Sequence, residues 1–261
     1  SYAGVEDYIA YYTRSQAVRD YLDLISEARE KAGIPVIASI HCSGIDTWVE
    51  FARDIQDAGA DALELNIFIL PSDIRETDAE VLQRYHAIID AVKQHTHLPI
   101  ALKLHHYFTG MANTLSMLAE RSEALVLFNR FFNPEINIDT LSVGSSGSFS
   151  TPDENGLVQR WIGILRPHLQ SSLAATTGIH DGPAVVRNLL AGANVVQVAS
   201  AIYSKGPEVI TQMNHFLKEW MEKSGNSRLD DFIGKLSYSG IPNPALYERA
   251  QFMKYFSGLN R

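Results

Sequence analysis

The chain has 261 residues, of which 46% are hydrophobic and 20% are charged, and its formal net charge is -8 at pH 7. These values are typical of one globular domain, and no apolar run approaches the roughly 18 residues of a membrane-spanning helix. A nucleic-acid surface needs clustered Lys and Arg, so this acidic chain is expected to act on small molecules instead. The single cysteine, Cys42, excludes an internal disulfide and favours a reducing cytoplasm, as does the lack of an apolar leader.

Helical patterns open the chain. An apolar face at helical spacing comprises Val18, Leu22, Ile25 and Ala28, whereas the 14 residues at the start are predicted as a loop or a short helix. The segment "DTWVEFARDIQDAGA" is predicted as a second helix, with a face of Val49, Ala52, Ile55 and Gln56.

A third helix is predicted to open with a capping box. Thr77 and Glu80 have the spacing at which each side chain satisfies a backbone amide of the other, and the buried stripe that follows comprises Val81, Tyr85, Ile88 and Val92. Further helices are predicted near 110–121, 153–166, 182–191 and 206–223. Apolar segments predicted as strands are 35–42, 61–69, 98–104, 123–129, 171–178 and 193–200.

Strands that alternate with helices of this length indicate right-handed βαβ units and a parallel sheet, because a parallel return needs a crossover. We therefore predict an α/β fold, a TIM (β/α)8 barrel that forms a single domain over 1–261. Closure of such a barrel takes eight strands, and the pattern yields six. The first two βα units are thus predicted to be missing, so we expect a leading segment of roughly 50 to 70 residues, at about 30 per βα unit.

Polar residues end several predicted strands, where barrel enzymes place their chemistry. They are Ser39, His41 and Cys42; Asn66; Lys103, His105 and His106; Asn129 and Arg130; Thr176, Thr177 and Gly178; Ala199 and Ser200. For any one Asn or Ser, the alternative is a hydrogen bond within the core. Lys103 is less easily explained this way, because an ammonium inside a strand needs an anion, an electron-rich ring or a carbonyl substrate.

The segment 172–207 has the layout of a phosphate site in a barrel. One strand ends in Thr-Thr-Gly, a helix begins near Gly182, and a second strand ends in Ala-Ser-Ala. Loops after the last two strands of such barrels offer backbone N–H groups to a phosphate, and glycine at 178 lets the backbone approach closely. The alternative is a plain tight turn.

Several of these motifs resemble those of the dihydroorotate dehydrogenases, which are FMN-dependent barrels of pyrimidine synthesis. "LELN", "ALKLHHYF", "LVLFN", "SLAATTG" and "SRLDDFIGKL" stand in the same order and spacing. The resemblance covers about residues 30 to 236 and is most specific over 172–236. It is strongest to a divergent, dihydroorotate dehydrogenase-like branch. It implies a flavin oxidoreductase that takes a hydride from dihydroorotate or a related heterocycle, and it implies a homodimer by analogy.

The resemblance also implies roles for individual residues. Lys103 would lie at the pyrimidine edge of the flavin and stabilise the reduced ring. Asn66 and Asn129 would contact both flavin and substrate, because an amide donates and accepts hydrogen bonds at once. The residues implied around the rest of FMN are Gly147 near the ring and Thr177, Gly178, Ala199 and Ser200 at the phosphate.

Two positions depart from the family pattern. The loop after the "LELN" strand carries a Cys or Ser base in the family, but this chain has Leu70 there, with Ser72 just beyond the proline. Ser72 and Cys42 are therefore the candidate catalytic bases, beside Lys103. Arg130 replaces a small hydroxyl residue and is predicted to bind a substrate carboxylate or phosphate.

Two rival functions remain open from the sequence. A Schiff-base aldolase on the same fold would use Lys103 as its nucleophile. A non-catalytic barrel would bind flavin or phosphate after loss of its base. A metal site built on the histidines His41, His105 and His106 is disfavoured, because their spacing matches no ligand pattern, and no metal is predicted.

Overall fold

A computed structural model of the chain describes residues 3–42, 44–131 and 133–248. The α-helices in these ranges are α1 (Ala3–Lys31), α2 (Ile45–Asp57), α3 (Asp78–Lys93), α4 (Met111–Ala119), α5 (Asn155–Leu165), α6 (Gly182–Ala191), α7 (Ser200–Lys205), α8 (Glu208–Lys223) and α9 (Ala245–Glu248). Short 3-10 helices cover Pro152–Glu154 and Leu229–Asp231. No helix in the described part of the chain is both long enough and apolar enough to cross a membrane.

The strands are β1 (Ile37–Ile40), β2 (Ala62–Asn66), β3 (Ile100–Leu104), β4 (Ala124–Leu127), β5 (Asn133–Asn137), β6 (Ser142–Ser146), β7 (Ser172–Ala175) and β8 (Val195–Val196). Six of them form one sheet in the order β1-β2-β3-β4-β7-β8, so that neighbours in the sheet also follow one another along the chain. Helices follow its strands, and this α/β architecture is the predicted one. It is consistent with a TIM barrel. That two leading βα units are missing remains a prediction.

The chain divides into two compact units, residues 1–125 and 126–261, and the single domain predicted over the whole chain remains a prediction. In the first unit β2 pairs in parallel with both β1 and β3. The helix α1 begins at Ala3, so the opening segment, predicted as a loop or a short helix, belongs from Ala3 onward to one long helix. On α2 the buried residues are Trp48, Ala52 and Ile55, and Val49, predicted for this face, is half-buried.

In the second unit β7 pairs in parallel with β8, and α6 packs against both α5 and α8. An antiparallel hairpin, formed by β5 and β6, was not among the predicted elements. Large apolar residues of this hairpin are exposed, among them Ile136 and Val143 at 72% each.

The predicted capping box is present at the start of α3. The Thr77 hydroxyl accepts a hydrogen bond from the Glu80 N–H at 3.3 Å, and Glu80 Oε2 accepts one from the Thr77 N–H at 2.7 Å. Both amides would otherwise lack a partner within the helix. The predicted stripe of Val81, Tyr85, Ile88 and Val92 is buried.

Replacing Thr77 with alanine is expected to lower the free energy of unfolding by about 1 kcal/mol, the typical loss for a removed N-cap side chain. Urea unfolding of the purified protein measures this difference. Thr77→Ser keeps the hydroxyl and is the matched control, expected to stay close to the wild type. An equal loss in both variants would show that the hydroxyl does not cap the helix.

Candidate functional site

In the first unit, polar side chains meet where β1, β2 and β3 run side by side. The strand register places Ser39 beside Glu64 and Asn66 beside Lys103. Lys103 Nζ lies 3.4 Å from Glu64 Oε1, and the Ser39 hydroxyl donates to the same oxygen at 2.7 Å. We call these four residues the lysine group.

The lysine group is buried enough for its charges to matter. Glu64 is 3% exposed, and the Lys103 side chain is 20% exposed. Burying a carboxylate is costly unless a cation and hydrogen bonds offset its lost hydration. Glu64 is thus an anionic partner for the Lys103 ammonium, which the sequence left without one. The charge of Glu64 is in turn stabilised by Lys103 and Ser39.

Further hydrogen bonds fix the backbone of Ser39 and Asn66 in the lysine group. His41 Nδ1 donates to the Asn66 carbonyl at 2.9 Å. The Tyr21 hydroxyl accepts from the Ser39 N–H at 3.0 Å and donates to the Ser39 carbonyl at 2.9 Å. These bonds hold the carboxyl ends of β1 and β2 in place.

The two candidate bases lie elsewhere in the first unit. Cys42 lines a cavity of about 360 Å³ formed with residues of α2, α3 and the segment after β2. Ser72 is exposed and lines an open, polar depression with Asp73 and Arg75. Within the described residues, the linings of these two hollows include neither Lys103 nor Asn66.

His105 is fully buried and held as a neutral imidazole. The Tyr107 N–H donates to His105 Nδ1 at 2.9 Å, so His105 Nε2 carries the proton toward the Tyr85 hydroxyl at 3.0 Å. The ring stacks on Phe108 at 4.6 Å between centroids. Burial lowers the pKa of His105 to about 4, which makes this side chain part of the core and not a rim base at neutral pH.

This shift predicts a pH dependence of stability. An unfolded histidine titrates near pH 6.5, so between about pH 6.5 and 4 the unfolded chain binds a proton that folded His105 does not. The unfolding free energy should therefore decrease as the pH falls through this window, by up to about 3 kcal/mol from His105. Urea unfolding at several pH values measures the slope. His105→Gln is expected to have a shallower slope there, and an unchanged slope would contradict the assignment.

In the second unit, the Ser150 hydroxyl joins the two predicted phosphate loops. It accepts from the Gly178 N–H at 3.2 Å and donates to the Ser200 hydroxyl at 3.1 Å. Its own N–H donates to Ser200 Oγ at 3.0 Å, and His180 Nε2 lies 3.2 Å from the Ser150 hydroxyl. We call Ser150, Gly178 and Ser200 the serine group. Ala199 directly precedes it, as the N-cap residue of α7.

The Thr-Thr-Gly turn has an uncommon backbone. Thr177 and Gly178 both have positive φ, at 79° and 76°, a region that a β-branched residue rarely occupies. The Thr177 hydroxyl donates to the Phe128 carbonyl at 3.0 Å, and the Asn155 amide donates to the Thr177 carbonyl at 3.0 Å. These bonds hold the turn in a strained conformation, which is frequent at functional sites.

Arg130 is tied to the glycine-rich loop that was predicted near the flavin. Its Nε donates to both carboxylate oxygens of Glu154, at 2.9 and 3.1 Å, and its Nη1 donates to the Gly147 carbonyl at 2.5 Å. The Asn129 side-chain oxygen accepts from the Arg130 N–H at 3.0 Å. In this arrangement Glu154 already balances the charge of Arg130.

The serine group fits a phosphate chemically. It contains a backbone N–H and two hydroxyls, which a phosphate would bind in place of the hydrogen bonds that they make to one another. The Lys205 ammonium donates to the neighbouring His180 carbonyl at 3.0 Å. Hydroxyl, amide and ammonium donors are the usual partners of a phosphomonoester. No carboxylate takes part in the hydrogen bonds of the serine group given above.

Sequence reasoning missed Glu64, Ser150, Glu154 and Lys205. A carboxylate two residues before Asn66 in an apolar strand is a signal for Glu64, since both side chains then point to the same face. Ser150 and Glu154 do not come directly after any strand that the sequence predicts, and they have no comparable signal. Among the described residues, no three His, Cys, Asp or Glu side chains are grouped so that they could hold a metal ion.

The chain is similar to several curated proteins that carry the name dihydroorotate dehydrogenase. The catalytic subunit of dihydroorotate dehydrogenase B (NAD(+)) from Methanothermobacter thermautotrophicus is 27% identical over 228 residues, which cover 84% of this chain and 73% of the relative. The protein of the same name from Thermoplasma acidophilum is 26% identical over 200 residues, covering 73% of this chain and 66% of the relative. No family model matches the chain. These relatives and the α/β fold support placing the chain in a divergent family that is similar to the dihydroorotate dehydrogenases.

Proposed function

We propose that the chain binds FMN and oxidises dihydroorotate or a related small heterocycle. The observation that carries the proposal is the lysine group, in which a buried ion pair and the Asn66 amide end neighbouring strands of the parallel sheet. The relatives are oxidoreductases by name and support the same reaction class. Bound FMN would supply the hydride acceptor, which no side chain of the protein can provide.

In this proposal, different residues contact different parts of FMN. Lys103 would place its charge where negative charge builds up on reduction, and Asn66 and Asn129 would hydrogen bond to the flavin and substrate rings. The serine group, together with Thr177 and Ala199, would hold the phosphate, and Gly147 would lie near the ring. The Arg130 guanidinium would bind the substrate while it also binds Glu154. We therefore propose only a secondary role for Arg130 in substrate binding.

The proton that leaves the substrate needs an acceptor. Ser72 and Cys42 remain the proposed candidates, since Leu70, at the family position of the base, cannot accept a proton. An exposed serine needs a neighbouring base to act, whereas a thiol has a lower ordinary pKa and can act alone. Replacing each in turn with alanine separates the two.

The Schiff-base aldolase is not favoured. Its nucleophile must be a neutral amine, and Lys103 lies 3.4 Å from a buried carboxylate that stabilises the ammonium form. Borohydride treatment with a carbonyl substrate would label Lys103 in an aldolase and leave it unmodified in a flavin enzyme.

An anaerobic titration with dihydroorotate tests the proposed function. The FMN-loaded protein is mixed with increasing dihydroorotate without oxygen, and the visible absorbance of the flavin is followed. Bleaching that is complete at stoichiometric substrate is expected. A flavin that dithionite bleaches, but neither dihydroorotate nor a related dihydropyrimidine does, would point to a binding protein that has lost its catalytic base.

A further inference from the structure

A cavity in the first unit is separate from the lysine group. Its volume is about 360 Å³, and it lies between α2, α3 and the segments that follow β1 and β2. Glu64 and Lys103 are not among its lining residues. Small-molecule sites usually occupy about 300–1,000 Å³, so a cavity of this size suits a compound with one ring.

Apolar and aromatic side chains form the walls. Trp48, Ile67 and Ile88 are buried lining residues, at 2%, 1% and 9% exposure. The His41 ring stands edge-on to Trp48 at 6.3 Å and to Phe68 at 6.0 Å between centroids. Aromatic rings that meet edge to face make a favourable surround for a further planar ring.

The polar residues of the lining indicate which compounds would bind. Arg84 is the one side chain with a permanent charge among the lining residues, which also include the polar side chains of His41, Cys42 and Trp48. Arg84 Nη1 donates to Glu76 at 2.8 Å. A guanidinium carries five N–H donors, so this single bond does not exhaust it. The lining therefore combines apolar and aromatic side chains with one permanent cation and contains no carboxylate.

We propose that this cavity is a second ligand site, which takes a small aromatic carboxylate with its ring against Trp48 and Ile67 and its carboxylate toward Arg84. The pairing of guanidinium with carboxylate is the charge-assisted contact that such a ligand would make. The lining of this site shares no residue with those assigned to hold FMN, and Cys42 is its one residue that is also a candidate base.

Cys42 provides the readout, because it is the single cysteine of the chain and lines the cavity. Iodoacetamide alkylates it in a balanced substitution: the thiolate sulfur bonds to carbon, iodide leaves, and the thiol proton passes to solvent. Benzoate is the probe, and benzamide is the neutral compound of the same shape. Benzoate is expected to slow alkylation of the full-length protein at least fivefold in a saturable way, and benzamide is expected to protect at least tenfold less well.

Three variants on α3 make the test specific. Ala87→Leu fills the cavity from its lining, and Ala79→Leu is its match at another exposed alanine of the same helix outside the lining. Protection should be lost in Ala87→Leu and kept in Ala79→Leu. Arg84→Gln, which removes the charge, should raise the benzoate concentration for half-protection at least tenfold.

The opposite results would overturn the proposal. An alkylation rate that benzoate does not change, or protection that persists in Ala87→Leu, rules out the cavity as the site. Equal protection by benzamide, or by benzoate in Arg84→Gln, rules out the carboxylate class. Flavin content is measured in the same samples and should not change, so failure here is distinguishable from failure of the proposed function.

Discussion

In Lys103→Ala the rate of flavin reduction by dihydroorotate is expected to fall roughly 100-fold, which is the usual effect of removing one group that stabilises developing charge. The variant is also expected to be less stable, because buried Glu64 would lose its cation. Breaking a buried ion pair costs about 3–5 kcal/mol, and the low end applies here because the Lys103 side chain is 20% exposed. Stopped-flow reduction and urea unfolding measure the two effects.

A double variant separates chemistry from stability. Lys103→Met with Glu64→Gln removes both charges, and the glutamine oxygen can still accept from Ser39. We expect this variant to recover most of the lost stability and none of the lost reduction rate. Recovery of the rate together with the stability would show that Lys103 serves the fold and not the flavin. Full activity and normal flavin content in Lys103→Ala would remove its proposed role altogether.

Gly178→Ala is expected to be the most damaging small substitution in the second unit. An alanine there would have to adopt φ near +76°, and its Cβ would lie 2.6 Å from the Asn155 nitrogen and 2.9 Å from the Thr151 carbonyl oxygen. Backbone strain of this kind costs about 1–3 kcal/mol, and overpacking adds a similar amount. Relief of the clash would move the Gly178 N–H away from Ser150, so FMN affinity should fall as well.

Gly225→Ala is the matched control for this prediction. Gly225 has φ +70° and no atom within 4 Å of the position that a Cβ would take. Its alanine variant is therefore destabilised by backbone strain but not by a steric clash of the kind expected at Gly178. Urea unfolding should show a loss of about 1 kcal/mol for Gly225→Ala and at least twice that for Gly178→Ala. Equal losses, with unchanged FMN binding in both variants, would contradict the close packing of the Thr-Thr-Gly turn.

Much of the fold could be predicted because periodicity reports burial directly. The stripe and capping box of α3 follow from residue spacing, and the apolar segments that became strands of the parallel sheet were all found. Their ends were predicted too long, since an apolar run continues into buried loop residues such as Ile67 and Phe128. Strand ends depend on backbone pairing, which a sequence does not display.

The β5–β6 hairpin shows a different kind of miss. Asn, Pro, Ser and Gly dominate its two strands and are typical of loops. Yet the register pairs Ile136 with Val143, and apolar residues stand at alternate positions on both sides of the turn. This period of two is a strand signal that composition obscured.

The polar residues of the candidate site can be picked out by residue type, whereas their partners cannot. Lys103 and Asn66 stand out because polar groups in buried strands need a reason. That Lys103 pairs with Glu64 depends on the relative register of β2 and β3. The link through Ser150 between Gly178 and Ser200 joins segments that are far apart in the chain, so only the folded structure could reveal it.

The flavin content of the purified full-length protein tests the central claim most directly. The protein is denatured, and the flavin in the supernatant is identified and counted against the chain. Close to one FMN per chain is predicted, with a clear loss in Gly178→Ala. A colourless protein that takes up no FMN on incubation with an excess would contradict the account.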